Sequence, residues 1–198
     1  MKYANTLKSL VIALAYAIVA ATPGLPAVAA TSPPPSIPAR TWLLVDTVSE
    51  AISVYRGERR VAYFPNISIG RAGTTLNRSE GDEATPLGRY HVAYIIHHTP
   101  FHIFFGLDYP SARDAHRALR EGLISGDTYH AIMVAVDDHR LPPQNTPLGG
   151  AIGIHGIGDG SVEIHNHFNW TKGCIALTNR QIDRLSRFIS VGTTVYIR

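Results

Sequence analysis

The sequence predicts a mainly β domain with two α-helices at its edges. Most apolar residues after position 40 fall in short runs separated by glycine, proline and other turn-forming residues, which is the pattern of strands joined by turns. Only two segments show helical spacing. From position 41 to the end, about 160 residues run without an internal repeat or a composition break, a length that suits one buried core. We therefore expect a single domain built from two packed sheets.

The strand predictions follow the apolar runs in chain order. Residues 42–45 and 52–55 lie close enough to form a hairpin. Further strands are predicted at residues 61–69, 90–96, 102–105, 132–136, 162–165 and 194–197, the last of which is expected to close the sheet.

Two capping boxes predict the two helices. Ser111 is followed three residues later by Asp114, and Thr178 is followed at the same spacing by Gln181. Behind each box the apolar residues recur with the spacing of one helix face. Gly192 is expected to end the second helix.

The first thirty residues have the layout of a secretory signal peptide. Residues 1–8 carry two lysines and no acid, and residues 10–21 are continuously apolar. Twelve apolar residues are too few to span a bilayer comfortably, and small residues precede a cleavage site after Ala29 or Ala30. The alternative is an uncleaved membrane anchor. Cleavage predicts an exported protein, periplasmic or associated with the cell wall, with no stable membrane span.

A proline-rich tether, residues 31–40, leads into the predicted domain at residues 41–198. Loss of both signal lysines lowers the formal charge from +3 to about +1. Arg113, Arg117 and Arg120 would share a helix face, but acidic neighbours indicate a solvated surface rather than a polyanion site. The sequence shows no nucleic-acid motif, and no nucleic-acid partner is predicted.

The candidate chemistry centres on Cys174, the one cysteine of the chain. In an exported protein a lone thiol is an intermolecular bridge, an inert core residue or a reactive group. His155 precedes it by nineteen residues, and an imidazole activates a thiol by taking its proton. Gly173 allows the backbone to turn so that N–H groups face a developing oxyanion. These neighbours favour a reactive thiol, while the residues alone leave a buried inert cysteine as the alternative.

Several motifs in the same order resemble the L,D-transpeptidase catalytic domain family of the YkuD type. His155-Gly156 comes first, and fifteen residues separate His155 from the later motif Thr171-Lys172-Gly173-Cys174-Ile175. The resemblance extends over residues 41–198, because segments of the first half also match, at residues 43–46, 67–70, 81–82 and 85–90.

The resemblance implies a β-sandwich-like domain that acts on peptidoglycan tetrapeptide stems, in cell wall cross-linking or remodelling. By analogy, Cys174 attacks the carbonyl of the third stem residue, expels the terminal D-alanine and forms a thioester. His155 acts as base and then as acid, while the carbonyl of Gly156 holds its other ring nitrogen. The N–H groups of Gly173 and Cys174 would stabilise the oxyanion. An amine of a second stem, or of a wall-attached protein, would resolve the thioester, with no metal or other cofactor required.

The chain departs from the family pattern beside the cysteine. Lys172 stands where the family commonly has a second histidine, and Ala176 stands where it often has an arginine. We hypothesise that the Lys172 cation holds a substrate carboxylate or favours the thiolate, and we predict that Thr171 and Lys172 line the substrate site. The alternative for Lys172 is a solvated side chain.

The sequence leaves three alternative functions open. With water as the acceptor, the same Cys–His site would make the protein an L,D-carboxypeptidase or amide hydrolase. A metal-dependent hydrolase would require His155, His165 and His167 to meet, the last two sharing one side of a strand. A wall-binding module that keeps the fold without the chemistry is the third.

Overall fold

Ten strands and four helices make up residues 40–198, the part of the chain that the computed structural model describes. The predicted signal peptide, and the tether up to residue 39, lie outside the described residues. The elements are β1 (Thr41–Asp46), β2 (Ala51–Arg56), β3 (Arg59–Pro65), β4 (Thr74–Thr75), β5 (Thr85–Pro86), β6 (Gly88–Thr99), β7 (His102–Leu107), α1 (Ala112–Arg120), α2 (Gly126–Asp137), β8 (Gly153–Gly156), α3 (Val162–His167), β9 (Ile175–Leu177), α4 (Asn179–Ser186) and β10 (Thr194–Ile197).

Eight strands form one continuous sheet in the order β3-β2-β1-β10-β6-β7-β8-β9, and β4 pairs with β5 separately. The twelve-residue strand β6 joins two parts of the sheet. Its beginning pairs with β10 and the rest pairs with β7. Leu43, Tyr90 and Phe105, from both parts, belong to one cluster of buried apolar residues. The mainly β prediction is confirmed, and both parts of the sheet share one core.

Most strand predictions are confirmed, with changes at their ends. Residues 42–45 and 52–55 form the β1–β2 hairpin. The strands predicted at residues 90–96 and 102–105 form the β6–β7 hairpin. The strand predicted at residues 61–69 ends at Pro65. The prediction that residues 194–197 close the sheet is wrong. Strand β10 lies in the middle of the sheet, parallel to β1 and antiparallel to β6.

Two predicted strands are helices, so the structure has four helices where the sequence predicted two. Residues 132–136 belong to α2, and residues 162–165 belong to α3. Each helix begins at a serine whose hydroxyl accepts a hydrogen bond from a backbone N–H: Ser125 from Thr128 and Ser161 from Ile164, both at 3.2 Å. Ile132 of α2 is completely buried. Capping and tertiary packing therefore outweigh the strand propensity of these β-branched runs.

The two capping boxes are confirmed at α1 and α4. In each, the side chain of the capping residue accepts from the backbone of the third helical residue, whose own side chain accepts in return. Helix α4 ends at Ser186, earlier than the predicted stop. Gly192 instead lies in the turn before β10, with φ at +87°. No helix within residues 40–198 is long and apolar enough to cross a membrane.

Candidate active site

The structure brings Cys174 and His155 to neighbouring segments of the sheet. Strands β8 and β9 are parallel, and His155 lies opposite Ala176. Cys174 directly precedes β9, two residues before Ala176. Side chains two residues apart in an extended chain project to the same side, so we expect the thiol on the side of the sheet where His155 lies. The thiol donates a hydrogen bond to the carbonyl of Ala151 at 3.4 Å.

The imidazole of His155 is held in one tautomer. Its Nδ1 lies 2.7 Å from the carbonyl oxygen of Gly156, and a carbonyl can only accept, so Nδ1 carries the proton. Nε2 is therefore a proton acceptor in the neutral ring. Phe101, Phe104 and Trp170 surround the ring, with centroids 4.5, 5.8 and 5.9 Å from its own. This burial lowers the pKa of His155, although the bond to Gly156 acts in the opposite direction.

The surroundings of the Cys174 thiol favour its protonated form. Burial raises the pKa of Cys174 to about 11, while a hydrogen bond from the backbone of Gly153 and the charge of Arg78 act to lower it. The lowered pKa of the imidazole and the raised pKa of the thiol both favour an uncharged resting pair.

The loop before the cysteine is braced from within. Thr171 is 3 % exposed, and its hydroxyl donates to the carbonyl of Cys174 at 2.6 Å and accepts from the N–H of Gly173 at 3.2 Å. The burial of Thr171 contradicts the prediction that it lines the substrate site. The bond from Gly173 is at odds with the prediction that its N–H faces an oxyanion. The N–H of Cys174 therefore stays the predicted oxyanion donor.

Gly173 is required for a different reason. Its φ is +116°, a region that side chains rarely adopt, and a Cβ there would lie 2.8 Å from the carbonyl oxygen of Ala84. The close approach brings the loop that contains Ala84 against the peptide preceding the cysteine.

Lys172 exposes its side chain at the rim of this loop. Its charge contributes, after that of Arg71, to lowering the pKa of Glu83. Lys172 therefore lies in an exposed cluster of mixed charge, and its predicted role in holding a substrate carboxylate stays a prediction.

Arg78 lies beside the candidate site, although the sequence patterns do not single it out. Its side chain is 7 % exposed and donates to the carbonyl of Lys172, two residues before the cysteine. An arginine in a turn-rich segment has no local signal that separates it from a solvated one. Its position becomes visible only when loops distant in the sequence meet.

The three histidines of the metal alternative do not share a strand face. His165 and His167 lie two residues apart on α3, where such spacing points them in different directions. His165 is 3 % exposed, whereas His167 is exposed and its Nδ1 donates to the carbonyl of Glu163. Among residues 40–198, no three His, Cys, Asp or Glu side chains are grouped so that they could hold a metal ion.

His155 of β8 and Cys174, directly before β9, thus lie at neighbouring parallel strands of a mainly β domain. The profile of the L,D-transpeptidase catalytic domain, YkuD, matches residues 40–197, and the chain belongs to this family. The predicted family is thereby confirmed. A search of curated proteins finds no match.

Solved structures agree with the fold. The helical cell shape determining protein Pgp2 from Campylobacter jejuni is 21 % identical, with a TM-score of 0.55 over 80 % of this chain and 47 % of its own. Bd1075 from Bdellovibrio bacteriovorus is 19 % identical, with a TM-score of 0.51 over 81 % of this chain and 48 % of its own. The chain spans about half the length of these two proteins. At such identities the likeness shows the fold alone.

Proposed function

We propose that the protein is a cysteine-dependent L,D-transpeptidase that acts on peptidoglycan tetrapeptide stems through a thioester on Cys174. The proposal rests on one observation: Cys174 lies two residues before Ala176, the register partner of His155, and the bond between Nδ1 of His155 and Gly156 leaves Nε2 to accept a proton. Membership of the L,D-transpeptidase family supports the substrate class.

In the first half-reaction, Nε2 of His155 takes the thiol proton as the sulfur of Cys174 attacks the carbonyl carbon of the third stem residue. The carbonyl oxygen becomes an oxyanion, to which the N–H of Cys174 donates. When the intermediate collapses, the C–N bond to the terminal D-alanine breaks. The imidazolium gives its proton to the leaving amine, and the acyl group remains on sulfur.

In the second half-reaction an acceptor attacks the thioester carbonyl. His155 removes the proton from the acceptor amine, the C–S bond breaks, and the thiolate recovers a proton from the imidazolium. An amine of a second stem gives a cross-link, and an amine of a wall-attached protein gives an anchored protein. Water gives a tripeptide stem, which is the L,D-carboxypeptidase alternative at the same site. We place this reaction in cell wall remodelling and cell shape, and Pgp2, a structural neighbour, is described as a helical cell shape determining protein.

The proposal includes export. Cleavage after Ala29 or Ala30 would remove the signal peptide and leave the tether of residues 31–40 at the N-terminus of the mature protein. Cell fractionation and the intact mass of the secreted form test it. A protein that keeps its first thirty residues and stays with the membrane would be an anchored form instead.

The experiment that tests the function is incubation of the mature protein with purified tetrapeptide muropeptides. Dimers mean transfer, and free tripeptides mean hydrolysis. Cys174→Ser and His155→Ala are expected to lose both products, whereas His167→Ala, which changes an exposed histidine of α3, is the matched control and keeps them. Processing at the parental rate by either site variant would overturn the proposal.

Two further measurements separate the remaining alternatives. Activity retained after exhaustive chelation removes the metal-dependent hydrolase. A carbapenem adduct located on Cys174 by mass spectrometry removes the non-catalytic wall-binding module, because an adduct requires a reactive thiol.

A further inference from the structure

The guanidinium of Arg78 connects three loops that are far apart in the sequence. Nε donates to the carbonyl of Ala84 at 3.2 Å, Nη1 to that of Leu148 at 2.6 Å, and Nη2 to that of Lys172 at 3.3 Å. The side chain is 7 % exposed. A buried guanidinium is unfavourable unless its donors are satisfied, and these carbonyls satisfy them in a planar fork that only arginine provides.

The cation is only partly neutralised. The nearest carboxylate is that of Asp82, 3.7 Å from Nε. Its two oxygens also accept from the N–H groups of Ser79 and Ala84, at 2.9 and 3.0 Å. On another side, the guanidinium carbon lies 5.5 Å from the ring centre of Tyr109. The charge is thus held in a fixed place by backbone oxygens, one shared carboxylate and an aromatic face.

Two of the three carbonyls belong to segments that contact or precede Cys174. The Lys172 carbonyl belongs to the peptide that enters Gly173, and a Cβ on Gly173 would lie 3.3 Å from Nε of Arg78. The Leu148 carbonyl lies in the loop that runs into Ala151, whose own carbonyl accepts from the sulfur. One side chain therefore fixes both the backbone before the nucleophile and the loop that orients its sulfur.

We propose that Arg78 is a positioning residue for Cys174: its buried guanidinium holds the loops on either side of the thiol in register and supplies a fixed positive charge behind it. The inference rests on the proposed function, in which Cys174 is the nucleophile. The charge of Arg78 opposes the effect of burial on the pKa of the thiol, so the role predicts both a geometric and an electrostatic consequence.

The test measures the rate at which iodoacetamide alkylates the mature protein from pH 7 to 10.5, below the thiol pKa of about 11, where the rate is proportional to the thiolate fraction and reports shifts in the thiol pKa without any muropeptide. Arg78→Met is expected to raise that pKa by about one unit, and to slow alkylation at a given pH below it about tenfold. Arg78→Lys keeps the cation and is expected to restore most of the profile. Arg140→Met, which removes an exposed arginine paired with Asp138, is the control and leaves the profile unchanged.

Asp82→Asn tests the same charge effect in the opposite direction, because it is expected to lower the thiol pKa. It leaves the buried side chain of Arg78 in place. It removes the negative charge beside the guanidinium and keeps an oxygen acceptor, so it is expected to lower the thiol pKa and speed alkylation. If Arg78→Met folds, as judged by circular dichroism, and its profile is parental, the proposal is wrong. If Arg78→Met does not fold, an Asp82→Asn profile that is unmoved or shifted upward overturns it.

Muropeptide turnover separates geometry from charge. Arg78→Lys cannot reach three carbonyls in one plane, so its kcat is expected to fall about tenfold with KM unchanged, although its alkylation profile is nearly restored. Parental kcat in Arg78→Lys would contradict the geometric role. A protein that processes no muropeptide would defeat the proposed function, whereas the alkylation profiles would still decide the role of Arg78.

Discussion

The Nδ1 atom of His155 lies 2.7 Å from the carbonyl oxygen of Gly156. The partner that orients the imidazole is thus a backbone group of the adjacent residue. Such a partner carries no formal charge, so it fixes the tautomer without strongly stabilising the imidazolium. Because burial also disfavours the charged ring, His155 rests neutral and ready to accept a proton.

The first prediction concerns pH. The proposed reaction needs neutral His155, whose pKa is held below its ordinary value of about 6.5. The rate of carbapenem acylation is therefore expected to rise with pH through a midpoint below 6.5 and to be level through neutral pH. Measuring that rate from pH 4 to 9 tests it. A rise centred above pH 8 would mean that a preformed thiolate is the reactive species.

The second prediction concerns Thr171. Thr171→Val keeps the shape but removes the hydroxyl bonds to Cys174 and Gly173. Each bond contributes about 1 kcal/mol, and the freed loop misplaces the sulfur, so acylation is expected to slow about tenfold while the protein stays folded. Thr171→Ser retains the hydroxyl and is the control. Equal acylation rates in Thr171→Val and Thr171→Ser would show that the hydroxyl does not position the sulfur and that Thr171 contributes by packing alone.

The third prediction compares two glycines with positive φ. Gly173→Ala places a Cβ 2.8 Å from the Ala84 carbonyl, whereas a Cβ on Gly81, with φ at +82°, meets nothing within 4 Å. Gly81→Ala is expected to lower the free energy of unfolding by about 1 kcal/mol. Gly173→Ala adds the steric contact, so it is expected to cost roughly 1–3 kcal/mol and to reduce acylation about a hundredfold.

Urea unfolding and carbapenem acylation of both variants check this comparison. Gly173→Ala with the stability and acylation rate of Gly81→Ala would show that the close approach to Ala84 is dispensable.

The fourth prediction concerns Lys172. Its ammonium is exposed, and an exposed ion pair contributes about 0.2–1 kcal/mol. If it holds a substrate carboxylate, Lys172→Met is expected to raise KM for tetrapeptide stems about two- to fivefold with kcat unchanged. Lys172→Arg should keep the parental KM. Steady-state kinetics checks it, and a Lys172→Met protein with parental KM and parental thiol pKa would make this lysine a solvated side chain.

Local signals in the sequence predicted most of the regular structure. Both capping boxes form because their hydrogen bonds connect residues three positions apart. The same range explains the strand errors at α2 and α3. There a single capping serine, without the reciprocal partner of a capping box, begins a helix in a run of strand-forming residues. The apolar pattern of such a short run suits either structure, and packing against the core decides between them.

The sequence by itself determined the family, the mainly β fold and the residues that define the candidate site, because motif spacing and apolar periodicity are local properties of the chain. Only the tertiary structure decided that β10 lies between β1 and β6, that Thr171 is turned inward, and that Arg78 supports the peptide before Cys174. It also decided the burial that shifts the pKa values of His155 and Cys174. Each of these depends on burial and on contacts between distant segments, and desolvation and long-range pairing leave no mark on the residues next to them in the sequence.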